Sequence, residues 1–218
     1  ATVNEPSDQI TAQLIDQMKI EEIPRDAITY RNAIVASNDA SAIIHFLQMA
    51  GDDIGGQVIK HQKSSGAGTK GPHDLTYVYN AALSTAPLQS NFKRFKQGLQ
   101  LMHDNKVAAN SETLVHLINA LGECGMSKTI LEILERLHDN YDDLEGKMEP
   151  IQLTDDIGIS FADWSTPRLD TSHYVAAIKS CLLRNKLEDA RAILALMRDH
   201  GIPPTSECLE NFAFTYAQ

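Results

Sequence analysis

The 218 residues contain no apolar run near the roughly 18 residues that a membrane-crossing helix needs, and charges interrupt every hydrophobic segment. Cysteine is scarce: Cys124, Cys181 and Cys208 are an odd number at wide spacings, with no CxxC or Cys/His pairing suited to zinc. They read as small buried thiols in a reducing compartment, not as a disulfide scaffold. Eight prolines and 12 glycines are too few for a collagen-like or proline-rich chain. The sequence has no Asn-x-Ser/Thr acceptor, which fits a chain outside the secretory pathway. Positive charge is also short: 19 Lys+Arg stand against 29 Asp+Glu, for a net charge of −10. Phosphate neutralisation supplies most of a nucleic-acid binder's affinity, so this balance speaks against RNA or DNA as the main partner. At 43% hydrophobic and 22% charged, the chain has the means to bury a core, in one large domain or two small ones. It opens ATVNEPSDQ, with no initiator Met and no apolar signal core, as expected of a processed form or a fragment.

What is present is a period. The segment LMHDNKV around His103 recurs as RLHDNYD around His138, 35 residues later. A third copy, LMRDHGI around Arg198, follows after 60 residues, which is 35 plus an insertion of 25. In windows beginning at Ala27, Thr76, Ser111 and Thr171, the fourth position reads Tyr30, Tyr79, Leu114 and Tyr174. The seventh reads Ala33, Ala82, Leu117 and Ala177, and the eighth Ile34, Leu83, Ile118 and Ile178. Further on, Ile15, Leu99, Leu134 and Leu194 share one position, and Met18, Met102, Leu137 and Met197 another. Positions 4, 7, 8 and 11 form one face of a first helix, and positions 20, 24 and 27 one face of a second. Each window is therefore a helical hairpin that cannot bury its apolar face alone, and stacked neighbours bury it. The turns agree: Gly201-Ile202-Pro203-Pro204 bars continuation of a helix, as does Ile23-Pro24-Arg25-Asp26.

The stretch SHYVAAIKSCLLRNKLEDARAILALMRDHGIPPT, Ser172 to Thr205, resembles a pentatricopeptide repeat in its Tyr near the start, its Leu-Glu-Asp-Ala second helix and its Gly-Ile-x-Pro ending. AITYRNAIVAS (Ala27–Ser37), TYVYNAALSTA (Thr76–Ala86) and ETLVHLINALGECG (Glu112–Gly125) resemble first helices of others. Tetratricopeptide repeats are the nearest rival, but their Trp/Leu-Gly/Tyr signature is missing. The resemblance implies an all-α, right-handed α-solenoid of hairpins with a period of about 35 residues. Five segments follow from it. Residues 1–50 hold a partial repeat and the first hairpin, 51–73 a flexible Gly-rich loop, and 74–145 two hairpins. Residues 146–169 are an acidic insertion, and 170–218 hold the best repeat plus the start of another. The last segment, Ser206–Gln218, looks like a first helix whose partner is absent, as in a piece of a longer parent chain.

Several motifs fail on context. Gly66-Ala67-Gly68-Thr69-Lys70-Gly71 matches G-x-G-x-x-G, but polar residues precede it and Pro72 follows, so neither the strand nor the helix of a dinucleotide site is available. The acidic run from Asp139 has Leu144 and Pro150 where a calcium loop needs Gly and Glu. The pairs Asp52-Asp53 and Asp155-Asp156 fall in irregular loops with no apolar pocket to raise one pKa. His103 and His138 follow the repeat to the exposed end of a second helix. No catalytic set, metal site or cofactor is expected, and no small-molecule substrate.

Repeats of this family imply a base-reading pair at positions 5 and 35. Asn80 with Asn110 is the one suitable pair here, since Asn both donates and accepts; other windows offer Arg31, Val115 and Val175. The basic cluster Phe92-Lys93-Arg94-Phe95-Lys96 lies on a second helix, which in this family faces away from RNA. Trp164, the only tryptophan, sits in the acidic insertion as a candidate partner anchor. The expectation is a non-catalytic scaffold subunit of a large organellar assembly, first the mitochondrial ribosome, in the mitochondrial matrix with the plastid as second choice. Its partners are protein subunits, with at most weak single-stranded or ribosomal RNA contact and no membrane insertion. The alternatives are a sequence-specific RNA factor and an accessory subunit of a respiratory complex.

Overall fold

The computed structural model describes residues 7–55, 73–142 and 169–216, and it is all-helical, with no strand among these residues. No described helix is long and apolar enough to cross a membrane. The chain divides into two compact units, Ala1–Ala108 and Ala109–Gln218.

In the first unit, α1 (Ser7–Ile20), α2 (Ala27–Ala36) and α3 (Ala40–Ala50) are followed by a π-helical turn, Gly51–Gly55. Then come α4 (His73–Leu83), the single turn α5 (Ala86–Gln89) and α6 (Phe92–Asp104). Helix α2 packs on α1, α3 and α4, while α6 packs on α3 and α4. First helices thus meet first helices (α2 with α4), and second helices meet second helices (α3 with α6). The apolar spacing makes this possible. Tyr30, Ala33 and Ile34 of α2 and Tyr79, Ala82 and Leu83 of α4 are all buried, at the positions that a 3.6-residue period brings together. Of the 51–73 segment expected as a Gly-rich loop, residues 51–55 form the π-helical turn after α3 and His73 opens α4, ahead of Thr76; the rest lies outside the described residues.

The second unit repeats the plan with α7 (Ser111–Glu123), α8 (Ser127–Asp142), α9 (Thr171–Leu183), α10 (Leu187–Asp199) and α11 (Ser206–Tyr216). Helix α9 packs on α7, α10 and α11, and α10 packs on α8. Leu114, Leu117, Ile118, Tyr174, Ala177 and Ile178 are buried. The 25-residue insertion therefore leaves α7 and α9 neighbours, as the resumption of the apolar positions in phase requires. Two positions depart from the spacing. Leu194 is only half-buried because Ile193 takes the core side of α10, and Met18 is half-buried at the end of α1.

Many of the helix ends share the same chemistry. Side chains of Asp26, Asp39, Asn91, Asn110 and Asp170 cap the N-termini of α2, α3, α6, α7 and α9 by accepting backbone N–H bonds. At the C-termini of α1, α6, α7, α9 and α10, one residue takes a positive φ: Glu22, Lys106, Gly125, Asn185 and Gly201. The next residue's N–H then bonds back five residues, as in Ile23 to Met18 (2.8 Å), Val107 to Met102 (3.0 Å) and Ile202 to Met197 (3.0 Å). This is the Schellman end, and its apolar contact explains why Met and an aliphatic residue recur five apart.

A close helix approach lies in the second unit. A methyl group added to Gly122 on α7 would stand 2.3 Å from Ser180 Cβ and 3.4 Å from Ser180 Cα on α9. Gly122→Ala is predicted to lower stability by ~1–3 kcal/mol through overpacking. In urea unfolding, Ser180→Gly in the same chain should recover most of that loss, and two additive effects would count against the contact.

Candidate functional site

The two asparagines expected to read a base are both used inside their own units. Asn80 on α4 is only 2% exposed, so its amide does not offer an edge to solvent. Asn110 is the N-cap of α7. Its Oδ1 accepts from Thr113 N (3.1 Å) and Thr113 Oγ1 (3.0 Å), while Thr113 Oγ1 in turn accepts from Asn110 N (3.0 Å). This reciprocal capping box accounts for an Asn followed three residues later by Thr without any ligand. Trp164 lies outside the described residues, as do the Gly66–Gly71 match and the Asp155-Asp156 pair. The basic cluster opens α6, where Phe95 is buried and Arg94 donates to Ser41 Oγ (3.0 Å) and Gln97 Oε1 (2.9 Å).

Reading for motifs missed a different recurring constellation. Tyr30, Tyr79 and Tyr174 are each fully buried on a first helix, and each hydroxyl is bonded by a residue at or just beyond the end of the following second helix. Tyr30 donates to Asp53 in the π-helical turn, and Arg25 pairs with the same carboxylate at 3.0 Å. Asp53 therefore does not sit in an irregular loop. Asn105 donates to the Tyr79 hydroxyl (2.7 Å), and that hydroxyl bonds the Leu101 carbonyl (3.3 Å). Tyr174 bonds His200 Nδ1. The separations are 23, 26 and 26 residues. That near-constant spacing from a window's Tyr to a polar residue was the available sequence signal. Burial raises all three phenols; the Tyr79 hydroxyl, with the Asn105 bond opposing, is pushed up to about 12. The three stay protonated at neutral pH.

The α7–α8 hairpin has Leu114 in place of this tyrosine, and it is held from the neighbouring turn instead. Arg184 bonds the Glu123 carbonyl and its carboxylate, the latter at 2.8 Å. Lys186 Nζ donates to the Gly125 carbonyl (2.6 Å) and to Ser127 Oγ (3.1 Å), and Ser127 donates to Asp189. At the opposite end, the fully buried His173 closes the α9 capping box with Asp170 and reaches Ser111 Oγ at 3.0 Å. The crevice between these turns, lined by Gly122, Ser180, Cys181 and Lys186, has no space for a water-sized group. Burial first, with Asp189 adding and Lys186 opposing, pushes the Cys181 thiol up to about 11, so it is inert as a nucleophile. Cys208 is also buried, but Cys124 is exposed on the α7–α8 turn, against the expectation of three buried thiols. His138 is half-buried, not exposed, and stacks on His200 with ring centres 3.4 Å apart. No cluster of three or more His, Cys, Asp or Glu suited to a metal occurs among the described residues.

A scan of protein-family models finds no match, and no curated protein matches the sequence.

One half-buried ionisable group, with both ring nitrogens shielded from solvent, lacks the support that others have. His116 on α7 has no hydrogen bond at either ring nitrogen, and Glu112 lies 3.7 Å from Nε2. Burial lowers its pKa from the ordinary 6.5, against the opposing pull of Glu112. The unfolded chain then binds a proton at a pH where the folded chain does not. The associated stability is fully present above about pH 6.5 and falls as the pH drops toward the folded pKa. Urea unfolding at pH 7.5 and 5.5 should show a smaller acid-side loss for His116→Leu than for the parent chain. Equal losses would remove His116 from the account.

Proposed function

We propose that this chain is a non-catalytic, pentatricopeptide-like scaffold: a right-handed solenoid of hairpins with a period of about 35 residues, docked as a subunit in a large organellar assembly. The mitochondrial ribosome, in the matrix, is the first choice. The observation that carries the reading is how the polar groups are spent. Asn80 is buried and Asn110 caps α7, while the recurring Tyr, Asp, Asn and His residues tie hairpins to themselves. A repeat protein whose polar side chains close its own hairpins keeps few for reading bases.

Electrostatics points the same way. A chain of net charge −10 gains little from counterion release. Valine at two of the four candidate reading positions offers a base no hydrogen bond, and a polar edge left unpaired costs ~1–3 kcal/mol. The second reading is a sequence-specific organellar RNA factor, favoured by the pentatricopeptide-like stretch Ser172–Thr205 alone. An accessory role in a respiratory complex shares the scaffold physics and differs only in the partner.

The scaffold reading predicts that the isolated protein binds randomised single-stranded RNA no tighter than the ~10⁻⁴–10⁻⁶ M of non-specific association, with little base preference. Changing Asn80 and Asn110 to Ala should leave that binding unaltered, with any loss appearing in stability. Nanomolar affinity for a motif of several bases, measured at fixed salt, would transfer the proposal to the RNA factor.

A further inference from the structure

On α2 and α4, exposed apolar side chains surround a cation that pairs with no carboxylate. Ile28, Arg31 and Val35 follow one another at three and four residues, so they share a face of α2. Ile28 is 62% exposed and Val35 54%. Helix α4 packs beside α2, and its Tyr77, 49% exposed, places its ring under the Arg31 guanidinium at 5.4 Å. That contact joins the two helices into one continuous patch. Single exposed apolar residues are ordinary on a soluble protein, but an Ile/Val/Tyr patch around an Arg has the composition of interface centres.

Arg31 says what should cover it. Arg25, Arg184 and Arg191 each pair with a carboxylate at 3.0, 2.8 and 2.8 Å. Arg31 has only the Tyr77 ring and a long 3.5 Å bond to Asn32, in a chain with 29 Asp+Glu. A guanidinium set among apolar side chains gains most from a carboxylate delivered as water leaves. Within the second unit, an apolar face at helical spacing, Leu114, Leu117 and Ile118 of α7, is buried where another helix packs on it.

We propose that Ile28, Arg31, Val35 and Tyr77 form a docking site for an amphipathic helix of a partner protein, one that sets an Asp or Glu among its apolar residues opposite Arg31. This rests on the scaffold reading and adds the chemistry of a partner. RNA suits the patch less, because a single cation on an acidic chain releases few counterions.

The test uses the full chain and a displayed library of amphipathic helical peptides about 18 residues, or five turns, long. Selected peptides should share apolar residues at helical spacing plus a central Asp or Glu. They should bind about tenfold or more weakly to Tyr77→Ala and to Arg31→Glu, both checked for unchanged helicity and melting. Selection against Arg31→Glu should instead return Lys or Arg at the central place. No enrichment over scrambled sequences, or peptides that bind parent and variants alike, would overturn the site. So would a randomised single-stranded RNA that binds the parent chain and is lost with Arg31→Glu, which would make the face a nucleic-acid surface. A failed peptide selection leaves the scaffold reading standing on its own RNA-binding test, since docking through another face remains open to it.

Discussion

A tyrosine buried at the start of a helix must find a partner for its hydroxyl, because a buried polar group left unpaired costs ~1–3 kcal/mol. In this chain the partner comes each time from the far end of the next helix: Asp53 for Tyr30, Asn105 for Tyr79 and His200 for Tyr174. The bond therefore does more than satisfy an oxygen. It ties the opening turn of one helix to the closing turn of the next, and so holds the hairpin at a set length. The apolar faces of Ala33 and Ile34, Ala82 and Leu83, and Ala177 and Ile178 are then presented together to neighbouring helices. Where Leu114 removes the hydroxyl, the restraint moves outward to the turn, and Arg184 and Lys186 clasp the residues around Gly125. The two arrangements solve the same problem, one inside a hairpin and one between hairpins.

Much of this was legible in the sequence because it depends on periodicity. The starts of α2, α7 and α9 at Ala27, Ser111 and Thr171 coincide with the first residues of three windows. Their cores follow from positions 4, 7 and 8. The Met and aliphatic pairs five residues apart were visible too, although their role in Schellman ends depends on the positive φ of residues such as Lys106 and Gly201. What escaped was information that a local pattern does not carry. Gly51-Asp52-Asp53-Ile54-Gly55 looks like the opening of a loop, yet Arg25 and Tyr30 hold Asp53 from more than 20 residues away. Asn110 suits a base-reading position and an N-cap equally well by residue type, and its use as the cap of α7 is seen only in the Thr113 geometry. Ile193 and Leu194 are adjacent and both aliphatic, so which of them faces the core follows from the rotation of α10 and not from composition.

The functional account follows from the same use of side chains. A protein that recognises many bases must keep polar groups unsatisfied within itself and turned outward. A structural subunit can instead spend them on caps, latches and clasps and leave apolar or singly charged patches for its partners. Here the latching residues are buried or half-buried, whereas Ile28, Val35 and Tyr77 are exposed around one unpaired cation. That distribution suits burial against another protein better than tracking along a phosphate chain.

The central claim is that this chain works as part of a larger body. The most direct measurement is the composition and size of the native particle from which it is recovered, by sedimentation followed by quantitative mass spectrometry and RNA sequencing. The account predicts that the chain travels in a large particle at fixed stoichiometry with other protein subunits. Recovery as a free chain, or on one defined transcript without stoichiometric protein partners, would contradict it.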